Sequence, residues 1–230
     1  MEANLLSFNN KSSVLIVYFA RDSVQFFNPK TRVMEVEALP AGLIKDLEIT
    51  DKNALAVFFK SCLQKHKLAV ASALIVLSPQ VFFETTLKSS GDEQESEIRK
   101  FLDTIPFEAI RSKTYAQSET STLIAVNKNL CEALVQALEQ NDIGTIAVIP
   151  SSIIPPLVEK PMPGVEAADY ILKNIASLKL QTITQTFEIN DTPRDELAPL
   201  QTPRNTRAYI LGGVFTICIV ILVVVLLTRK

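Results

Sequence analysis

Residues 208–228 place the strongest constraint on this chain: they read AYILGGVFTICIVILVVVLLT, 21 positions without a charge. At about 1.5 Å per helical residue they span roughly 31 Å, which matches the hydrocarbon core of a bilayer. Fourteen of the 21 are Ile, Leu, Val or Phe, and each of these favours insertion by roughly 0.3 to 0.6 kcal/mol. Arg204 and Arg207 precede the run and Arg229 and Lys230 follow it. An apolar stretch this long between basic brackets predicts one transmembrane helix over 208–228. Ala208, Gly212 and Thr216 recur every four residues along it, a small-residue face through which a second helix, including that of another copy, is expected to pack.

Orientation follows from the other end. The opening residues, MEANLLSFNNKSS, contain no basic stretch followed by an apolar one, so nothing there resembles a secretory signal. Basic residues flank both sides of the span equally, and the charge rule is silent. The residues ahead of the span are therefore expected to form a cytoplasmic body, with the C-terminus across the membrane.

Charge excludes some functions for that body. The net charge is −2, and no basic run longer than a pair occurs before the span, which argues against nucleic acid. The acidic run from Asp92 to Glu97 fits the solvated first turns of a helix better than a metal site. Cys62, Cys131 and Cys218 are odd in number and far apart, each within an apolar helical pattern, so they read as buried thiols and not as ligands or a disulfide frame. His66, the one histidine, has no acid or nucleophile beside it in sequence and is expected at a helix C-terminus.

The body alternates strands and helices. Strands are expected at 13–19, 23–27 and 32–38, joined by turn chemistry at Asn28-Pro29-Lys30 as an antiparallel meander, with a short strand pair or an extended segment at 43–49. Asp51, or Thr50 before it, is the expected N-cap of a helix whose apolar stripe is Leu55, Phe58, Phe59, Cys62 and Leu63. A buried strand at 69–77, a strand at 81–87 and a helix carrying Ile98, Phe101, Leu102 and Ile105 follow, the last stopped by Pro106. A strand pair at 109–117 and 121–127, a helix at 129–140 and a short strand at 145–149 complete an α/β body with a mixed sheet. From Pro150 prolines multiply: the expected order is a stiff connection, one helix at 165–178, an amphipathic strand at 180–189 and an open linker at 190–207.

This succession resembles the first lobe of the actin-like PilM family, cytoplasmic platform proteins of type IV pili that are related to the cytoplasmic part of the type II secretion platform protein. The residues that carry it are the three-strand opening, the break Leu39-Pro40-Ala41-Gly42, the helix entry Ile49-Thr50-Asp51, the strand ending in Ser78-Pro79, and Ile105-Pro106-Phe107. The resemblance implies a partial actin-like lobe at 1–156, a Pro-rich connection and membrane-proximal linker at 157–207 and the span at 208–228, in a bacterial inner membrane. It also implies other pilus or secretion platform proteins as partners. Two departures matter. Actin-like ATPases open with Asp-x-Gly-x-x-Ser, whereas this chain has Tyr18-Phe19-Ala20-Arg21-Asp22-Ser23, without the carboxylate for metal or the glycine that admits phosphate. The second lobe has no counterpart in the residues left before the span. Neither a phosphate-binding P-loop nor a dinucleotide fingerprint occurs. No cofactor, no metal and no catalytic residues are expected.

A second resemblance is local. Partners of PilM proteins carry a cytoplasmic peptide of the pattern Ile-Asn-Leu-Leu-Pro ahead of their membrane helix. This chain has Ile189-Asn190-Asp191-Thr192-Pro193 ahead of its own, so Ile189, Asn190 and Pro193 match while both leucines are replaced. The function expected is a non-enzymatic, membrane-anchored scaffold. Its rivals are a degenerate ATPase completed by a second subunit and a generic tail-anchored adaptor.

Overall fold

The computed structural model describes residues 14–88, 92–116, 120–159 and 163–184. The expected span at 208–228, with Ala208, Gly212 and Thr216, and the motif residues Ile189, Asn190 and Pro193 lie outside the described residues, as does Cys218. Among the described residues no helix is long and apolar enough to cross a membrane.

The opening meander forms as the β-branched and aromatic runs require: β1 (Val14–Phe19), β2 (Ser23–Asn28) and β3 (Val33–Ala38) pair antiparallel in order. Asn28 closes the second turn. Its side chain accepts from Lys30 N–H at 2.9 Å, and Arg32 takes a left-handed φ of 57°. A two-residue pair, β4 (Ile44–Lys45) and β5 (Glu48–Ile49), leads to α1 (Lys52–Lys65), which Asp51 caps through Asn53 and Ala54 N–H. Then come β6 (Ser72–Leu77), β7 (Phe82–Leu87), α2 (Asp92–Asp103), β8 (Ile110–Ala116), β9 (Ser121–Asn127), α3 (Lys128–Glu139) and β10 (Gly144–Pro150). Three short helices follow: α4 (Pro155–Glu159), α5 (Val165–Lys173) and α6 (Ile175–Leu180).

The main sheet has the order β10-β6-β1-β2-β3, with β6 parallel to β1 and β10 parallel to β6. It is mixed, as expected, and side chains alternate between two apolar faces. Leu15, Val17, Phe19, Val24, Phe26, Ile75 and Leu77 face α1 and α3, where Leu55, Phe59, Leu130 and Leu134 meet them. Phe26 and Phe59 stack edge to face with centroids 5.8 Å apart. Ile16, Tyr18, Phe27, Leu74, Val76 and Ile149 occupy the other face. Covering both faces explains why β1 and β6 read as unbroken apolar runs.

The second face is where the structure departs from the expected domain boundary. It is covered by Ile154, Leu157, Ala167, Ala168, Ile171 and Leu178 from α4, α5, α6 and the turn before them, so the packed body continues through Thr184 and does not end at residue 156. The prolines set a composition, but the apolar residues among them have a sheet to bury against. The single helix expected at 165–178 is two, because Asn174 ends α5 by turning its Nδ2 back to Tyr170 O at 2.8 Å. The strand expected to start at 180 does not: Leu180 ends α6, and 181–184 run as an irregular segment. The alternation LQTIT fits a strand in isolation, but Val148 is the residue of β10 whose backbone this segment bonds.

Strands β7, β9 and β8 form a separate antiparallel sheet in that order, inserted between β6 and β10. One of its faces contributes Ala125 to a small core with Ile105 and Phe107. The other contributes Tyr115, Ile124 and Val126 to the main core.

Candidate peptide-binding cleft

Where the resemblance places phosphate, the β1–β2 hairpin is tight and its donors are engaged. Ala20 N–H donates to Ser23 O at 2.9 Å, and Arg21 N–H points at Gln80 Oε1 at 3.4 Å. Tyr18, at the carboxylate position, is buried in the second apolar face. Asp22 is exposed and accepts from its neighbour Ser23 Oγ at 3.0 Å.

His66 caps α1, as its position predicts, through its backbone N–H to Cys62 O. Its ring does more. Nε2 lies 2.6 Å from Glu37 Oε1 and Nδ1 lies 3.3 Å from Glu35 Oε2, while Lys65 Nζ also reaches Glu37 at 2.6 Å. The hydrogen bond from Lys65, then that from His66, holds the Glu37 carboxyl below its ordinary value. The group clasps the outer strand β3 to the end of α1, a contact that pairing across the fold creates and local sequence does not announce.

Cys62 and Cys131 are buried and free, with no cluster of metal-ligating side chains among the described residues. Burial pushes the Cys62 thiol up to about 11 and the Cys131 thiol up to about 12, which makes both poor nucleophiles.

Among the described residues a concavity of about 630 Å³ lies between the inserted sheet and the end of the main sheet, within the size range of small-ligand sites. One wall is the C-terminal half of β8, from Lys113 to Ala116. Others are Ser152 and Ile153 in the turn before α4, Pro155 and Val158 of α4, and Gln181. Among the described residues β8 is paired on one side only, by β9, so its other edge offers backbone groups that no described strand pairs. Val158 is 64% exposed at the rim. The hydroxyls of Ser151 and Ser152 are buried without a hydrogen-bond partner among the described residues.

The cleft is shaped by segment 181–184, which is held from two sides. Alternate residues of β8 present three donors on one face. Arg111 Nη1 donates to Thr184 O at 2.7 Å, Lys113 Nζ to Leu180 O at 3.1 Å and Thr182 O at 2.9 Å, and Tyr115 Oη to Gln181 O at 3.0 Å. On the far side Thr182 Oγ1 accepts from Val148 N–H at 3.0 Å and Ile183 N–H donates to Val148 O at 2.8 Å. The segment therefore satisfies part of the β10 edge and straps the insert to the main sheet. Burial raises the Tyr115 hydroxyl and lowers the Lys113 ammonium relative to their ordinary values. Sequence reasoning missed this site because its walls lie up to 68 positions apart, from 113 to 181. The usable signal was Arg111-x-Lys113-x-Tyr115, three long donors on one face of a strand.

Fold and site together define a mixed α/β lobe with an inserted antiparallel sheet and a cleft at their junction. No protein-family model and no curated protein matches the sequence. Among solved structures the chain is similar to the PilM-PilN type IV pilus biogenesis complex, at 14% identity and a TM-score of 0.46, over 65% of this chain and 52% of that one. It is also similar to the cytoplasmic domain of EpsL, an inner membrane component of the type II secretion system of Vibrio cholerae, at 13% identity and a TM-score of 0.40, over 62% and 59%. A Bacteroides thetaiotaomicron protein with an actin-like ATPase fold and unknown function is similar at 14% and 0.39, over 65% and 55%. The chain thus spans between 52% and 59% of the length of these three.

Proposed function

We propose that this chain is a non-enzymatic, membrane-anchored scaffold of a type IV pilus or type II secretion-like assembly, and that its cleft holds an extended peptide of a partner. One observation carries the proposal: the edge of β8, unpaired among the described residues, forms a wall of an apolar-rimmed cleft. An extended peptide added to a strand edge gains main-chain hydrogen bonds, while Ile153, Pro155 and Val158 take its apolar side chains. The anchor at 208–228 confines the encounter to the membrane plane and raises effective concentration. Body and cleft face the cytoplasm, and Ala208, Gly212 and Thr216 pack the span against a second helix.

Fluorescence anisotropy with a labelled Ile-Asn-Leu-Leu-Pro peptide tests the cleft. Val158→Asp is expected to weaken binding about tenfold or more, since it places a charge on an apolar contact surface. Equal binding by both proteins, or micromolar binding of Mg-ATP by titration calorimetry, overturns the proposal, the latter in favour of a degenerate ATPase. Digestion of the body by protease added outside sealed inner-membrane vesicles reverses the orientation. Unchanged self-association of Gly212→Ile in a membrane reporter removes the helix-packing face.

A further inference from the structure

We infer that the cleft selects an extended peptide bearing a carboxylate, and that the ammonium of Lys113 receives it; this rests on the cleft being a peptide site. Among the described residues, Lys113 is the one charged residue that lines the cleft. Two of its three ammonium protons are directed at the carbonyls of Leu180 and Thr182, and the group lies 5.7 Å from the centre of the Tyr115 ring. Carbonyl dipoles and a ring face stabilise the cation but bring no negative charge. Arg111, two residues away on the same face, has Glu132 at 2.9 Å, while no carboxylate pairs with Lys113 among the described residues. Burial disfavours its charged form, as the lowered ammonium value records.

A partly desolvated cation with no counter-ion among the described residues and one donor to spare carries a cost, which a carboxylate in the cleft removes. The surrounding chemistry restricts what carries that carboxylate. The edge of β8 favours a strand, and Ile153, Pro155 and Val158 favour apolar side chains. The ligand is thus an apolar extended peptide with one acidic residue placed to meet Lys113.

The test uses the full-length chain in detergent micelles and an array of hexapeptides with Ile, Leu or Val at alternate positions and Asp, Glu, Asn, Gln or Ala at the others. The best Glu-bearing peptide and its Gln counterpart are then titrated by anisotropy. The wild type is expected to prefer Glu over Gln about tenfold, with the ratio shrinking as salt rises. Lys113→Met brings the ratio to about one and Lys113→Arg preserves it. If Lys113 only holds the strap, its replacement weakens both peptides alike and leaves their ratio standing, which overturns the inference, as does a wild-type ratio near one. Should Lys113→Met fail to fold, zero-length carbodiimide coupling of the Glu peptide to the wild type decides by mass spectrometry. A link at Lys113 supports the inference and links only at other lysines overturn it. Apolar peptides that bind without acidic preference refute this inference alone, whereas an array with no binding removes the cleft as a peptide site and this inference with it.

Discussion

Replacing Thr182 by valine isolates the contribution of the strap. Thr182 is 2% exposed, and its hydroxyl accepts from Val148 N–H at 3.0 Å, donates within reach of Val148 O at 3.2 Å and contacts Thr184 Oγ1 at 2.8 Å. Valine keeps the volume and removes the hydroxyl. The carbonyl of Val148 keeps Ile183 N–H at 2.8 Å, so the groups left without this partner are the buried N–H of Val148 on the edge of the main sheet and the part-buried N–H and hydroxyl of Thr184, which met the Thr182 hydroxyl at 3.3 and 2.8 Å. An orphaned buried donor costs about 1 to 3 kcal/mol. For a body of this size that is a fall of roughly 2 to 4 °C in Tm per kcal/mol. Thr182→Ser retains the hydroxyl and loses one methyl, about 1 kcal/mol. Urea unfolding of the full-length chain in micelles, followed by circular dichroism, reads both variants against the wild type. Thr182→Val within about 0.5 kcal/mol of wild type, or no worse than Thr182→Ser, refutes the argument that this hydroxyl satisfies the β10 edge.

The clasp between β3 and α1 gives an acid dependence. Glu37 has a folded value lowered from 4.5 by Lys65 first and His66 second, so the stability it contributes is present above about 4.5 and is lost as pH falls through its lower folded value. Unfolding midpoints at about pH 6 and about pH 3 should therefore differ less in Glu37→Gln than in wild type, and an unchanged difference sinks the clasp. Asn127 is 1% exposed and caps α3 by accepting from Asn129 N–H at 2.9 Å and Leu130 N–H at 3.3 Å; Asn127→Ala should cost about 1 to 2 kcal/mol by chemical unfolding and Asn127→Ser clearly less. Cys62 and Cys131, with thiols raised to about 11 and about 12, should resist iodoacetamide in the native protein and react once urea unfolds it, as site-resolved mass spectrometry would record; rapid native labelling of either contradicts the packing.

Local signals carried much of the fold. The apolar run of β1, the Asn28 turn, the Asp51 cap, the stripe of α1 and the period of α3 are each decided by neighbours a few residues away, so composition and spacing were enough to place them. Even there the stripe was imperfect: Ala56 is buried and Phe58 only partly so. The single helix expected over 165–178 failed for a related reason. Its apolar positions fit one helix, and the break lies in a side chain, Asn174, whose bond to Tyr170 O competes with the backbone's own.

The sequence by itself determined an alternating α/β body, buried thiols, a capped first helix and an uncharged terminal run of membrane length, since each rests on local periodicity or on summed transfer energy. Only the tertiary structure decided that residues 157–184 complete the body, that His66 sits between two carboxylates of an edge strand, and that Lys113, Ser152 and Gln181 share one cleft. These depend on which surfaces meet once the chain has closed its long loops, and a sequence pattern states that a face is apolar without stating what covers it.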